Sequence, residues 1–153
     1  MNNKLLIING PGLSDLSNYN ETGYDDLTLD AVQQKCSETC EGLGLEMDFR
    51  QNDNESELLS ALIEDIDNFD ALIINPAGHS QASSIGLDIY STVINKITNQ
   101  GKPVVEVRIE NIFKQGNNKP LQGPESGAGF VCGLGMHSYV LAIKAINKKI
   151  SNN

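Results

Sequence analysis

Positive charge is scarce in this chain: 11 Lys and Arg stand against 20 Asp and Glu, a formal net charge of −9 over 153 residues. A polyanion would be repelled by that field unless a local basic patch overrode it. The one mild cluster, Lys144, Lys148 and Lys149, falls at the end of the last helical pattern, where cations suit the helix dipole anyway. Nucleic acid and membrane surfaces are therefore not expected as partners. No stretch approaches the roughly 18 apolar residues of a membrane span, and the N-terminal MNNKLLIING has no signal-peptide cleavage region, so a cytoplasmic protein is expected. Cysteine is sparse and odd in number, at three. Cys36 and Cys40, at i and i+4, share one helix face without further ligands nearby, which reads as buried thiols and not as a metal site. Phosphate-binding loops of the GxGxxG and GxxxxGK[ST] types are absent, as are internal repeats and low-complexity tracts.

What is present is an alternation of strand and helix patterns of a length suited to one domain over residues 1–153, with 39% hydrophobic residues to build its core. The continuous apolar run KLLIIN, 4–9, ends at Asn9-Gly10-Pro11-Gly12 and predicts a central parallel strand followed by a tight turn. Residues 13–26 carry no sustained apolar period and predict a long loop. Thr28 is a plausible N-cap for a helix with Leu29, Val32, Cys36, Thr39, Cys40 and Leu43 on one face, stopped at Gly42 and Gly44. LEMDFRQ, 45–51, alternates as an edge-proximal strand would. A second helix is expected from about 55 to 68, with Leu58, Leu59, Leu62, Ile63 and Ile66 as its apolar stripe. Strands at 71–75, 104–109 and 129–133 and helices at about 83–99 and 136–148 complete the pattern. Five strand signals alternating with helices imply an α/β fold, a parallel three-layer sandwich joined by right-handed crossovers.

The stretch around which the rest is arranged is DALIINPAGHSQASSIGLD, 70–88. Its buried strand stops at Asn75-Pro76, passes through a polar loop and opens a helix, which is where open parallel sheets place ligands. The carboxyl ends of strands one, three and four should share one crevice, bringing Asn9 to Tyr24, Asn75 to Gln81 and Glu106 to Asn111 together. Glu106 and Arg108, two apart on a strand, leave the same face and either pair structurally or address one ligand. His79 has no serine or cysteine nucleophile in a recognisable frame beside it, and reads as a loop histidine. Ser83-Ser84 reads as a helix cap and Asn75, at its simplest, as a partner for turn backbone.

Taken in order, IINGPGLSDL, Tyr24 four residues before Thr28-Leu29, INPAGHSQASS, PVVEVRIEN and a GLG start to the last helix resemble the type II 3-dehydroquinate dehydratases, from about Lys4 to Ile146. The resemblance implies a flavodoxin-like five-stranded sheet, a trimer or dodecamer of identical chains, no cofactor or metal, and removal of water from 3-dehydroquinate through an enolate. It also implies Tyr24 as the base and Asn75 as a substrate-binding residue. Asp88 would reach a neighbouring subunit's site, and the backbone NH groups of Ile109 and Glu110 would hold the substrate carboxylate; Pro11, Pro76, Glu106 and Asn111 are also retained.

Several positions depart from that pattern. The loop arginine that would favour the tyrosinate is Tyr19, and a tyrosine of ordinary pKa, about 10, needs such a cation to act as a base. The strand-four histidine that serves as general acid is Arg108, whose guanidinium does not give up a proton at useful pH. Gln81 stands for a substrate-binding histidine, Gly12 for the first-turn asparagine and Gln115 for an arginine after strand four. Arg108 lies across the same crevice from Tyr24 and could itself stabilise the phenolate, with water or Glu106 assisting the leaving group. Two readings follow: a lyase with reduced or altered activity on 3-dehydroquinate or a related hydroxylated carboxylate, or a catalytically inactive relative that binds a small carboxylate or serves as an assembly or regulatory partner. A flavin-binding protein is disfavoured by the missing phosphate-cradling Ser/Thr turn after strand one and the absence of tryptophan.

Overall fold

The apolar runs that end at Asn-Gly and Asn-Pro breaks become the central strands of one parallel sheet. The structure, a computed structural model, describes residues 2–14, 16, 27–76, 84–110, 112 and 127–151, with backbone alone for 84–88. Its elements are β1 (Lys4–Asn9), α1 (Leu29–Leu43), β2 (Glu46–Gln51), α2 (Glu55–Asp65), β3 (Ala71–Asn75), α3 (Ser84–Asn99), β4 (Val104–Arg108), β5 (Gly129–Cys132) and α4 (His137–Ser151). The strand order is β2-β1-β3-β4-β5, every neighbouring pair parallel. This is the flavodoxin-like order, and its direction reverses between β1 and β3. The three-layer α/β sandwich expected from the alternation is therefore present, and the reversal lies at the carboxyl ends of the two strands that finish in Ile-Ile-Asn.

The period of two along each strand divides the core into two layers. Leu5, Ile7, Ile73, Val105 and Val107 face α1 and α4, packing on Val32, Cys36, Cys40, Ala142 and Ile143. Leu6, Ile8, Leu72, Ile74 and Val104 face α2 and α3, packing on Leu58, Leu62, Tyr90 and Ile94. Leu13 and Leu16, in a stretch without apolar period, are buried at 1% and 3% exposure and extend the first layer past the end of β1.

Thr28 caps α1 as its sequence predicts, accepting a hydrogen bond from the Ala31 NH at 3.0 Å in extended backbone, and Gly44 closes the helix in the left-handed conformation, φ 73°. Two expectations need correction. The helix of 55–68 ends at Asp65 and continues as a 3₁₀ turn, Ile66–Asn68, closed by Phe69 NH on the Ile66 carbonyl. Ile63 is not part of the buried stripe but 53% exposed. At 100° per residue it lies at the rim of the arc that Leu58, Leu59, Leu62 and Ile66 share.

Cys36 and Cys40 are buried free thiols. Burial raises Cys36 to about 12, with a further push from Cys40, and raises Cys40 to about 11. Among the described residues no group of three or more His, Cys, Asp or Glu is placed to hold a metal, and no helix is long and apolar enough to cross a membrane.

Candidate functional site

The site is built outward from two asparagines. β1 and β3 pair with Asn9 opposite Asn75, so both side chains leave the sheet on the α1/α4 side at its carboxyl edge. Both are almost fully buried, at 0% and 2% exposure, where an unpaired amide would be costly. Tyr139 on α4 satisfies them together: its hydroxyl donates to Asn9 Oδ1 at 2.7 Å and accepts from Asn75 Nδ2 at 2.8 Å. Asn9 Nδ2 donates in turn to the Arg50 carbonyl of β2 at 2.9 Å. One buried chain thus links β2, β1, β3 and α4 and sets the amide orientation of Asn75.

The backbone makes a second link at the same place. The Gly10 NH donates to the Asn75 carbonyl at 2.7 Å. A Cβ on Gly10 would fall 2.6 Å from the Pro76 carbonyl oxygen, so this approach of the loops after β1 and β3 requires glycine. Asp53, after β2, holds the outer side of the turn. Its carboxylate accepts from the Gly12 NH at 3.2 Å, Gln51 Nε2 at 2.8 Å and the Ser14 hydroxyl at 3.4 Å, and these bonds, with Gln51 foremost, lower its pKa. Gly12, in the position of the expected asparagine, adopts φ 89°.

On β4, Glu106 and Arg108 form a buried ion pair, Arg108 Nε to Glu106 Oε2 at 2.9 Å, with the side chains 3% and 5% exposed. Register puts Glu106 opposite Ile74, on the α2/α3 side of the sheet, whereas Asn75 faces α4. The carboxyl edge therefore has two polar walls, an amide wall toward α4 and a charged wall toward α3. Behind the charged wall stands Tyr90 of α3, 1% exposed. Burial, followed by the Glu55 carboxylate, raises its pKa, and the charge of Arg108 opposes that rise.

The end of β4 is joined to the GLG turn. Gly133 NH donates to the Arg108 carbonyl at 3.3 Å and Gly135 NH to the Ile109 carbonyl at 3.0 Å, with both glycines at positive φ, 88° and 61°. Ile109 is buried and Glu110 half-buried at this corner.

The expected site residues Tyr24, Gln81 and Asn111 lie outside the described residues, as do Tyr19, His79, Ser83 and Gln115 and the side chain of Asp88. The structure adds Asn9, Tyr139, Tyr90, Glu55 and Asp53, none of which is singled out by motif. One signal for Asn9 exists in the sequence: strands one and three both end Ile-Ile-Asn, which in a parallel pair puts the asparagines level.

The class II dehydroquinase family model matches residues 3–147. The chain belongs to that family. A 3-dehydroquinate dehydratase of Clostridium botulinum (strain Loch Maree) is 31% identical over 150 residues, covering 97% of each chain. Another, from Pelotomaculum thermopropionicum, is 29% identical over 143 residues, covering 93% of this chain and 94% of the relative. The crystal structure of a type II dehydroquinase from Butyrivibrio crossotus covers 95% of this chain and 98% of its own, with a TM-score of 0.74 at 22% identity, a likeness of fold. In this class II dehydroquinase the carboxyl edge of β1, β3 and β4 brings Asn9, Asn75, Glu106 and Arg108 together. The residue at the end of β4, where the resemblance leads one to expect a histidine, is an arginine already engaged by a carboxylate.

Proposed function

We propose that the chain, as one domain over 1–153, is a 3-dehydroquinate dehydratase-like lyase of reduced or altered activity, acting on 3-dehydroquinate or a related hydroxylated carboxylate. Tyr24 takes the proton α to the carbonyl, the enolate forms, and as it collapses to the enone the β-hydroxyl takes a proton from water, or by way of Glu106, and leaves as water. Asn75 and Gln81 bind the substrate, the NH groups of Ile109 and Glu110 hold its carboxylate, and Asp88 reaches in from a neighbouring copy in a trimer or dodecamer. The cytoplasm is the compartment that goes with this reading. What carries it is the oriented Asn75 amide at the point where strand order reverses, in a chain that the family model covers almost from end to end.

The reduced activity follows from Arg108. A guanidinium does not act as a general acid, and removing such an acid costs on the order of 10²- to 10⁴-fold in rate. The buried Arg108–Glu106 pair also supports a second reading, an inactive homologue that binds a small carboxylate or acts as an assembly or regulatory partner. Purified protein given 3-dehydroquinate, with enone absorbance followed beside a Tyr24→Phe control, separates the two. Slow turnover abolished by Tyr24→Phe is expected. Turnover that survives loss of the phenol removes Tyr24 from the mechanism, and none at high protein concentration leaves the binding homologue.

A further inference from the structure

Asp53 is an exposed carboxylate on the segment after β2, yet groups from the ends of two strands converge on it. Its Oδ1 accepts from the Gly12 NH at 3.2 Å and from Gln51 Nε2 at 2.8 Å, and its Oδ2 accepts from the Ser14 hydroxyl at 3.4 Å. Gln51 Nε2 has a second proton, which it donates to the Gly10 carbonyl at 3.2 Å. Gly10 in turn donates its NH to the Asn75 carbonyl at 2.7 Å. An unbroken line of hydrogen bonds thus runs from Asp53 through Gln51 and Gly10 to Asn75. The Asn52 NH, on the Asn9 carbonyl at 3.0 Å, fixes the same segment to the end of β1.

The turn after β1 depends on this outside support. Gly12, at φ 89°, brings no side chain to hold the turn and leaves its backbone unusually free, so the group that takes its NH decides where it sits. That group is the Asp53 carboxylate, an acceptor on both oxygens when ionised, and the hydrogen bonds it receives favour the ionised form. At the other end of the line, Gly10 lies so close to Pro76 that a Cβ would meet the Pro76 carbonyl oxygen at 2.6 Å. A turn displaced at Gly10 carries its NH away from the Asn75 carbonyl.

We propose that Asp53 is a positioning residue for ligand binding at the carboxyl edge. Through Gly12, Ser14 and Gln51 it fixes the turn after β1, and through Gly10 that turn fixes the Asn75-Pro76 backbone. Asn75 is then held from two sides: Tyr139 sets its amide from the core, and the Asp53 line sets its backbone from the surface. Asp53 itself does not touch the ligand. The proposal rests on the reading that this edge binds a hydroxylated carboxylate.

The test is calorimetric titration with quinate, a hydroxylated carboxylate without the ketone that an enolate requires. The proteins are the wild type, Asp53→Ala, Asp53→Asn and Gln51→Ala, each with its melting temperature. Asp53→Ala and Gln51→Ala should each weaken Kd about three- to tenfold, the factor that goes with losing an ordinary hydrogen bond from the supporting line. Asp53→Asn keeps an oxygen for Gly12 and Gln51 and turns an NH2 toward the Ser14 oxygen, so its Kd should stay within about twofold of the wild type. A carboxylate that only stabilises the fold would lower the melting temperature and leave the Kd of the folded protein unchanged; that result in Asp53→Ala overturns the proposal. If Asp53→Ala does not fold, wild-type affinity in Gln51→Ala overturns it. An Asp53→Asn protein as weak as Asp53→Ala overturns it too, because charge and not the hydrogen-bonded turn would then govern affinity. A wild type that does not bind quinate overturns the carboxylate reading and this inference with it, a pattern distinct from equal binding by wild type and variant.

Discussion

Asn9 and Asn75 stand level on adjacent parallel strands and share one hydroxyl, that of Tyr139, which donates to the first at 2.7 Å and accepts from the second at 2.8 Å. Because all three residues are buried, the arrangement has little freedom to relax. It converts a residue of the last helix into the support for an amide at the carboxyl edge of the sheet, 64 residues away.

Tyr139→Phe tests this support. The substitution keeps the ring in its core position and removes only the hydroxyl, leaving Asn9 Oδ1 and Asn75 Nδ2 short of a partner. A loss of about 1–3 kcal/mol in unfolding free energy by urea titration is expected, together with a higher KM for 3-dehydroquinate as Asn75 loses its set orientation. A variant as stable as the wild type would show that the asparagines find other partners.

Gly10→Ala tests the backbone contact. The new methyl would meet the Pro76 carbonyl at 2.6 Å, and neither loop backbone can retreat without breaking the Gly10–Asn75 hydrogen bond. Overpacking of this kind costs about 1–3 kcal/mol. Ligand affinity should fall along with stability, because the same shift moves Asn75. Calorimetric melting paired with quinate titration reads both effects.

The buried thiols predict an alkaline limit to stability. Cys36 and Cys40 are raised from 9.0 to about 12 and about 11. Between pH 9 and those values the unfolded chain gives up protons that the folded chain keeps, so unfolding free energy falls as pH rises; below pH 9 the contribution is fully present. Urea unfolding at pH 8 and pH 10.5 should show this fall, and the double variant Cys36→Ala, Cys40→Ala should show a smaller one. Parallel declines would remove the thiols from the explanation. At pH 8 a water-soluble thiol reagent should label Cys132, which is partly exposed, well before the two buried cysteines, which should react only after unfolding.

Strand and helix order, the Thr28 cap, the Gly44 stop and the burial of both helix-one cysteines were legible because each depends on residues close in sequence. The placement of Asn75, Glu106 and Arg108 at the carboxyl edge was also legible, since it follows from where each strand pattern stops. Tyr139 and Tyr90 were not. A tyrosine inside an amphipathic helix reads as core, and whether its hydroxyl meets an asparagine at the end of a distant strand depends on register and on how α4 lies across the sheet. The face on which each group stands was hidden for the same reason: Asn75 toward α4 and Arg108 toward α3 are separated by strand pleat, so one sheet edge has two unlike sides. Ile63 shows the limit of periodicity itself, because the rim of an apolar arc is placed in or out of the core by packing.

The most direct measurement is the kcat of Arg108→His on 3-dehydroquinate, beside the wild type and the Tyr24→Phe variant of each. If Arg108 is what slows this class II dehydroquinase, an imidazole in its place, with Glu106 positioned to pair with it, restores a group able to protonate the leaving hydroxyl. Turnover should then rise by about 10²-fold or more and still depend on Tyr24. An unchanged or lower kcat in a variant that folds normally would contradict this, and a fall would assign the Arg108 guanidinium to activation of Tyr24.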